Sequence, residues 1–194
     1  MTHPAIHPPP TPPASRRVWA GRRIAVDLVP EPGAIDADGR PLPRELVRHP
    51  GGAVILPRLD DGRLVLIRNR RLSVGQWLWE LPAGTRGPGE DLAEVARREL
   101  EEETGFRARR IEAFGCLHTT PGFTDERIDA FLAEGLEPGP QRLDAGESIQ
   151  VEPRPVETVL AMIDDGRITD AKTVALVLRW WRLRGSAAVA GGDA

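Results

Sequence analysis

Apolar and polar residues alternate along RRIAVDLV (22–29), the period of a strand with one buried face. GGAVILPRL (51–59) and GRLVLIRN (62–69) flank the turn residues DDG (60–62) and predict a β-hairpin. QWLWELPAG (76–84) is a short strand entering a loop, and RRIEAFGCLH (109–118), ERIDAFLAEGL (126–136) and SIQVEPRP (148–155) predict further strands. The period becomes helical in EDLAEVARRELEEE (90–103), which Gly105 closes, and again in VETVLAMIDDG (156–166) and TDAKTVALVLRWWRLRG (169–185). Antiparallel strands with helices arriving late and singly predict an α/β class, a mixed β-sheet covered by helices on both faces.

One helix breaks the usual rule for charge. At about 100° per residue, Leu92, Val95, Ala96 and Leu100 form one apolar stripe. Glu94 and Glu101 point away from it, as solvent-facing acids should. Glu99 and Glu103, one turn apart, fall within about 40° of its centre, with Glu102 on the flank. Two carboxylates aimed at the protein body cost several kcal/mol unless something compensates them. A hard divalent cation suits them, because Mg²⁺ takes carboxylates together with phosphate oxygens of a substrate. The plainer alternative, a solvated acidic face paired with Arg97 and Arg98, requires the acids to lie opposite the stripe.

Composition narrows the partners. The 194 residues suit one domain, and 40% hydrophobic with 28% charged residues is a globular balance. A net charge of -3 offers no footprint for nucleic acid or an anionic membrane. Cys116 is alone, no apolar run approaches the roughly 18 residues of a membrane span, and the N-terminus lacks a secretory pattern, so a cytoplasmic protein is expected. Lys172 is the only lysine. The chain divides into a proline-rich disordered tail (1–16), a domain (17–185) whose strands within 17–49 are candidates for dimer contact, and a flexible tail (186–194).

Around the unusual helix the spacing is Gly84–x5–Glu90–x7–Arg98–Glu99–Leu100–x–Glu102–Glu103–x–Gly105–Phe106. It resembles the signature of the Nudix hydrolases at every specified position. The resemblance implies an α/β/α sandwich with a loop–helix–loop that binds Mg²⁺ or Mn²⁺, and hydrolysis of a nucleoside diphosphate linked to another moiety. On the same ground Glu99 and Glu103 are metal ligands, Glu102 joins the cluster, Arg98 holds the acids and Glu90 braces the loop. Gly84 permits a tight turn bringing the Ala83 carbonyl to the metal.

Two further stretches resemble the ADP-ribose pyrophosphatase subgroup: Glu80-Leu81-Pro82-Ala83-Gly84, and Pro121-Gly122-Phe123-Thr124-Asp125-Glu126, whose proline lies sixteen residues after Gly105. Ile168 to Thr173 resembles the entry to that subgroup's final helix. The resemblance implies an ADP-ribose or related ADP-sugar substrate contacted by Arg71, Glu80, Pro121 and Gly122. GDP-mannose is the alternative substrate, and a non-catalytic nucleotide-sugar sensor the alternative class. It also implies a homodimer joined through the N-terminal strands. As residues, Arg68 to Arg71 equally suit the end of a surface strand, and Pro-Gly suits any turn. The subgroup's acidic D-E-x-E loop corresponds here to Asp144-Ala145-Gly146-Glu147, which places alanine at the usual base. Glu147 is then both a metal ligand and a candidate base, with Asp144 and Glu126 as substitutes. Trp19 suits adenine stacking or a dimer interface, and His49, His118 and Cys116 read as structural.

Overall fold

A computed structural model describes residues 15–190, and all of their side chains except those at 32, 41 and 185–190. The expected proline-rich tail lies outside the described residues as far as position 14, as do residues 191–194 of the expected C-terminal tail. In chain order the strands are β1 (Arg16–Ala20), β2 (Ala25–Ile35), β3 (Pro41–Arg48), β4 (Gly52–Pro57), β5 (Leu64–Arg71), β6 (Gln76–Glu80) and β7 (Ala83–Thr85). Helix α1 (Leu92–Thr104) follows, then β8 (Phe106–His118), β9 (Arg127–Pro138), β10 (Ile149–Arg154), α2 (Val156–Asp164) and α3 (Ala171–Ala190). The last helix thus runs past residue 185.

These strands build three sheets rather than one: β1-β2-β3, β10-β5-β6, and a mixed sheet β7-β4-β9-β8 in which β4 and β9 run parallel. The expected 51–69 hairpin is not formed as such. Its arms enter different sheets, β4 between β7 and β9, β5 between β10 and β6. Among the described residues their strand pairing is limited to the Arg58–Leu64 bridge, with the Leu59 amide on the Arg63 carbonyl at 2.9 Å. The reason lies in the apolar runs themselves. Ala53–Leu56 and Leu64–Ile67 are buried on consecutive residues, so each strand needs cover on both faces and its own ladder partners.

Strand β4 is the centre of the molecule. Ala53 and Ile55 face Val95, Ala96 and Leu100 of α1, while Val54 and Leu56 face Leu66, Val159, Leu176 and Trp180 of the second sheet, α2 and α3. The layers are helix, sheets, helices. Helix α1 is fixed at both ends. The Asp91 carboxylate accepts from the amides of Ala93 (2.9 Å) and Glu94 (3.3 Å), and Gly105 ends the helix at φ 72° with its amide on the Glu101 carbonyl.

The N-terminal sheet is held by one buried acid. Asp27 on β2 pairs with Arg17 of β1 (2.8 Å) and Arg48 of β3 (2.9 Å). Arg48 continues to Asp125 (3.0 Å), and the Val47 amide donates to the Phe123 carbonyl (2.8 Å). The Pro121–Asp125 turn is therefore where this sheet docks on the body.

Candidate active site

A cleft of about 1200 Å³ opens where β5, β7, α1, the 144–147 loop and the start of α3 meet. Glu99 and Glu103 both line it, as their place on the apolar stripe predicts. The Glu103 residue is only 4% exposed. Among the described residues, the one hydrogen bond to its carboxylate comes from the Ala83 amide, at 2.9 Å. Burial pushes its pKa up to about 8, and the nearby Glu99 and Glu147 charges push the same way against that amide. Glu99 is also raised, by burial, with Arg98 pulling against it.

The Glu99 carboxylate rests on the backbone of β7. A Cβ at Gly84 would fall inside that carboxylate, and one at Gly52, on the paired strand, would strike the Gly84 carbonyl. Gly84 does not adopt positive φ, so glycine is needed there for close approach rather than for a special turn. This corrects the expected reason for the residue. The Ala83 amide, for its part, is spent on Glu103.

Arg98 organises the remaining acids. Its guanidinium reaches Glu90 (3.1 Å), Glu99 (2.7 Å) and Glu102 (3.0 Å). Burial works against its charge, but the three carboxylates outweigh it and raise its pKa. Glu90 also accepts the Gly87 amide at 2.9 Å, which ties the 85–91 loop to the helix, and Arg98 with that amide lowers its pKa. Glu102 does not line the cleft. It sits on the flank and meets Glu99 through Arg98. Glu101 is not free in solvent as the wheel suggests, because Arg107 of β8 (2.7 Å) and Arg142 (3.7 Å) fold back over it.

Glu80 is the clearest departure. It is 1% exposed and absent from the cleft wall. Its carboxylate accepts Arg71 Nε (2.7 Å) and Nη2 (2.6 Å) and Lys172 Nζ (2.8 Å). Burial alone would raise its pKa, yet Arg71 first and Lys172 second bring it below the ordinary value. Glu80 thus presents Arg71 and Lys172, which do line the cleft, instead of facing a ligand itself. Pro121 and Gly122 likewise lie off the cleft, where their turn receives β3, while Thr119, Thr120 and Glu126 beside them line it. The base candidates Glu147, Asp144 and Glu126 all line the cleft. Glu147 accepts the Asp144 amide at 3.0 Å, and Glu126 accepts the Thr119 hydroxyl at 2.6 Å and lies 3.3 Å from His49 Nδ1. His49 and His118 line the cleft too. Trp19 is exposed on β1, and Trp180 is buried in the core.

The donor set suits a hard divalent ion: oxygen ligands only, two of them desolvated carboxylates one helical turn apart, with a third acid near enough to raise Glu103. As the side chains stand, no three His, Cys, Asp or Glu among the described residues gather into a closed cage. Arg98 meets the charge of Glu99 and Glu102, and Glu103 has the Ala83 amide.

A loop and helix carry acids into a cleft between the layers of an α/β/α sandwich, a class of site suited to a divalent ion and the phosphate oxygens of a ligand. Residues 48–177 match the NUDIX domain, and the chain belongs to the Nudix family. An ADP-ribose pyrophosphatase of Bacillus subtilis (strain 168) is 32% identical over 173 residues, 88% of this chain and 91% of its own. A methanol dehydrogenase activator of Bacillus methanolicus is 33% identical, covering 84% and 88%. A solved ADP compounds hydrolase superposes with a TM-score of 0.73 over 89% of this chain and 93% of its own; at 23% identity that likeness speaks for the fold alone.

The raised Glu103 has a thermodynamic consequence. The folded chain holds this proton up to about pH 8, the unfolded chain only to about 4.5, so the folded state binds more protons in between. Stability present at low pH is therefore lost as pH rises through that range. In chelator, the unfolding temperature should fall between about pH 5 and about pH 8.5, and Glu103→Gln should remove most of the fall, unfolding roughly 3 °C or more above wild type at the higher pH. A wild-type profile that rises across this range contradicts the burial of the acid.

Proposed function

We propose that this Nudix protein hydrolyses the diphosphate of ADP-ribose, or of a related ADP-sugar, to AMP and ribose 5-phosphate. The observation that carries the reading is Glu103, a carboxylate buried in an open cleft with one backbone amide as its hydrogen-bond partner. In this reading Glu99, Glu103, Glu147 and the Ala83 carbonyl hold Mg²⁺, with Mn²⁺ able to replace it. The ion, when bound, supplies Lewis acidity toward phosphoryl oxygen and water.

The chain does the rest. Arg98 holds Glu99 and Glu102 in place, and Glu90 holds Arg98. Arg71, steadied by Glu80, donates to the substrate from its unspent N–H groups. Glu147 accepts the proton of the attacking water as a P–O bond of the anhydride breaks. Both relatives named above cover most of this chain, and one is an ADP-ribose pyrophosphatase. The alanine at 145 is the feature that favours a nucleotide-sugar sensor instead.

We also read the protein as a cytoplasmic homodimer. No helix among the described residues is long and apolar enough to cross a membrane. The N-terminal sheet leaves Val18, Trp19, Ile35 and Leu42 exposed. Sedimentation should give twice the chain mass, and Trp19→Glu should shift it toward the monomer. A wild-type monomer at micromolar concentration removes the dimer from the reading.

A turnover screen of ADP-ribose, ADP-glucose, GDP-mannose and NADH with Mg²⁺ and Mn²⁺ tests the substrate. ADP-ribose should lead. GDP-mannose well ahead of it overturns the substrate, and tight binding without cleavage of any of the four favours the sensor. Glu103→Gln should cut metal-dependent turnover by roughly a hundredfold or more, whereas Glu101→Gln, on the far side of α1, should stay within about threefold. Equal losses would place the site elsewhere on the helix.

A further inference from the structure

Lys172 is the only lysine among the 26 lysine and arginine residues of the chain. It sits at the start of α3 with its side chain 13% exposed, and it lines the cleft. Its ammonium donates to Glu80 Oε2 and to Asp170 Oδ1, both at 2.8 Å. An ammonium carries three N–H donors, so one is left over in the cleft wall. Beside it, Asp170 also lines the cleft. Its Oδ2 accepts the Thr173 amide (3.0 Å) and hydroxyl (2.6 Å), and its Oδ1 accepts Lys172. A carboxylate has about four acceptor positions, so one acceptor is left over as well.

The charges of this cluster balance, Arg71 and Lys172 against Glu80 and Asp170. It offers a ligand no net charge. What it offers is a spare donor and a spare acceptor on neighbouring residues, held rigidly because the Leu81 amide also binds the Thr173 hydroxyl at 2.8 Å. The group that needs both at once is a hydroxyl, and adjacent hydroxyls are the mark of a sugar. With two protons committed to Glu80 and Asp170, the ammonium keeps one directed proton, a single point donor that the planar arginine fork does not reproduce.

We propose that Lys172 and Asp170 form a sugar-hydroxyl subsite of the cleft, Lys172 donating to the hydroxyls of the substrate's sugar and Asp170 accepting from them. This rests on the nucleotide-sugar reading above and makes Lys172 a specificity-determining residue for it. The test compares wild type, Lys172→Met and Lys172→Arg for the KM and kcat of ADP-ribose and for inhibition by inorganic pyrophosphate, which has the anhydride but no sugar. Lys172→Met should raise KM by roughly tenfold, the loss of one charge-assisted hydrogen bond, with kcat within about threefold and pyrophosphate inhibition within about twofold. Lys172→Arg should recover only part of the loss.

A second measurement needs neither turnover nor a folded variant. Acetylation of Lys172 in the wild-type protein, followed by peptide mass spectrometry, should slow by roughly fivefold with saturating ADP-ribose and not with pyrophosphate. An unchanged KM, pyrophosphate inhibition weakened in step with KM, or acetylation indifferent to ADP-ribose overturns the subsite. Wild-type protein that is protected by ADP-ribose yet does not cleave it overturns the hydrolase reading and upholds the subsite.

Discussion

The buried carboxylate of Glu103, held by the Ala83 amide and crowded by Glu99, sets the terms for the surrounding structure. An acid in that position is tolerable only where the backbone comes very close, and β7 supplies that backbone. Gly84 lets the Glu99 carboxylate lie against the strand, and Gly52 lets β4 pair with Gly84 from the other side. The strand pairing, the helix and the acid pair are thus one construction. The caps of α1 belong to it too, since a shift of the helix by one residue would turn both acids away from β7.

Around this centre the cleft handles charge in two ways. On α1, Arg98 is shared among three partly exposed or half-buried acids, and Glu103 is left with an amide alone. Where β6 meets the start of α3, Glu80 is wholly buried and neutralised by Arg71 and Lys172. Only the first arrangement leaves unbalanced negative charge facing the cavity, and that asymmetry gives the cleft an end for a cation and a wall for hydrogen bonds. The N-terminal sheet stands apart from both, tied to the body by Arg48, Asp125 and the turn at 121–125.

Much of the site was readable from spacing. The helical wheel separates Glu99 and Glu103 from Glu94, because a helix fixes angular position within a single stretch of chain. The same wheel misplaces Glu101, whose cover comes from Arg107 and Arg142 on other elements. Glu80 shows the limit from the other direction. As a residue of the Glu80–Gly84 entry it invites a ligand-binding role, but its two cations lie nine and ninety-two positions away along the chain. Lys172 carried a signal, its rarity, without any hint of what it touches.

What the order of residues determined by itself is local: strand and helix periods, the Gly105 end of α1, the one-turn spacing of two acids, and through these the Nudix family. Tertiary structure alone decided that β4 and β5 part into separate sheets, that Pro121 and Gly122 serve the N-terminal sheet, and that Glu80 faces inward. The physical reason is common to all three. Periodicity says which side of an element is buried, but the identity of the partner on that side depends on contacts between distant parts of the chain, which no short-range pattern contains.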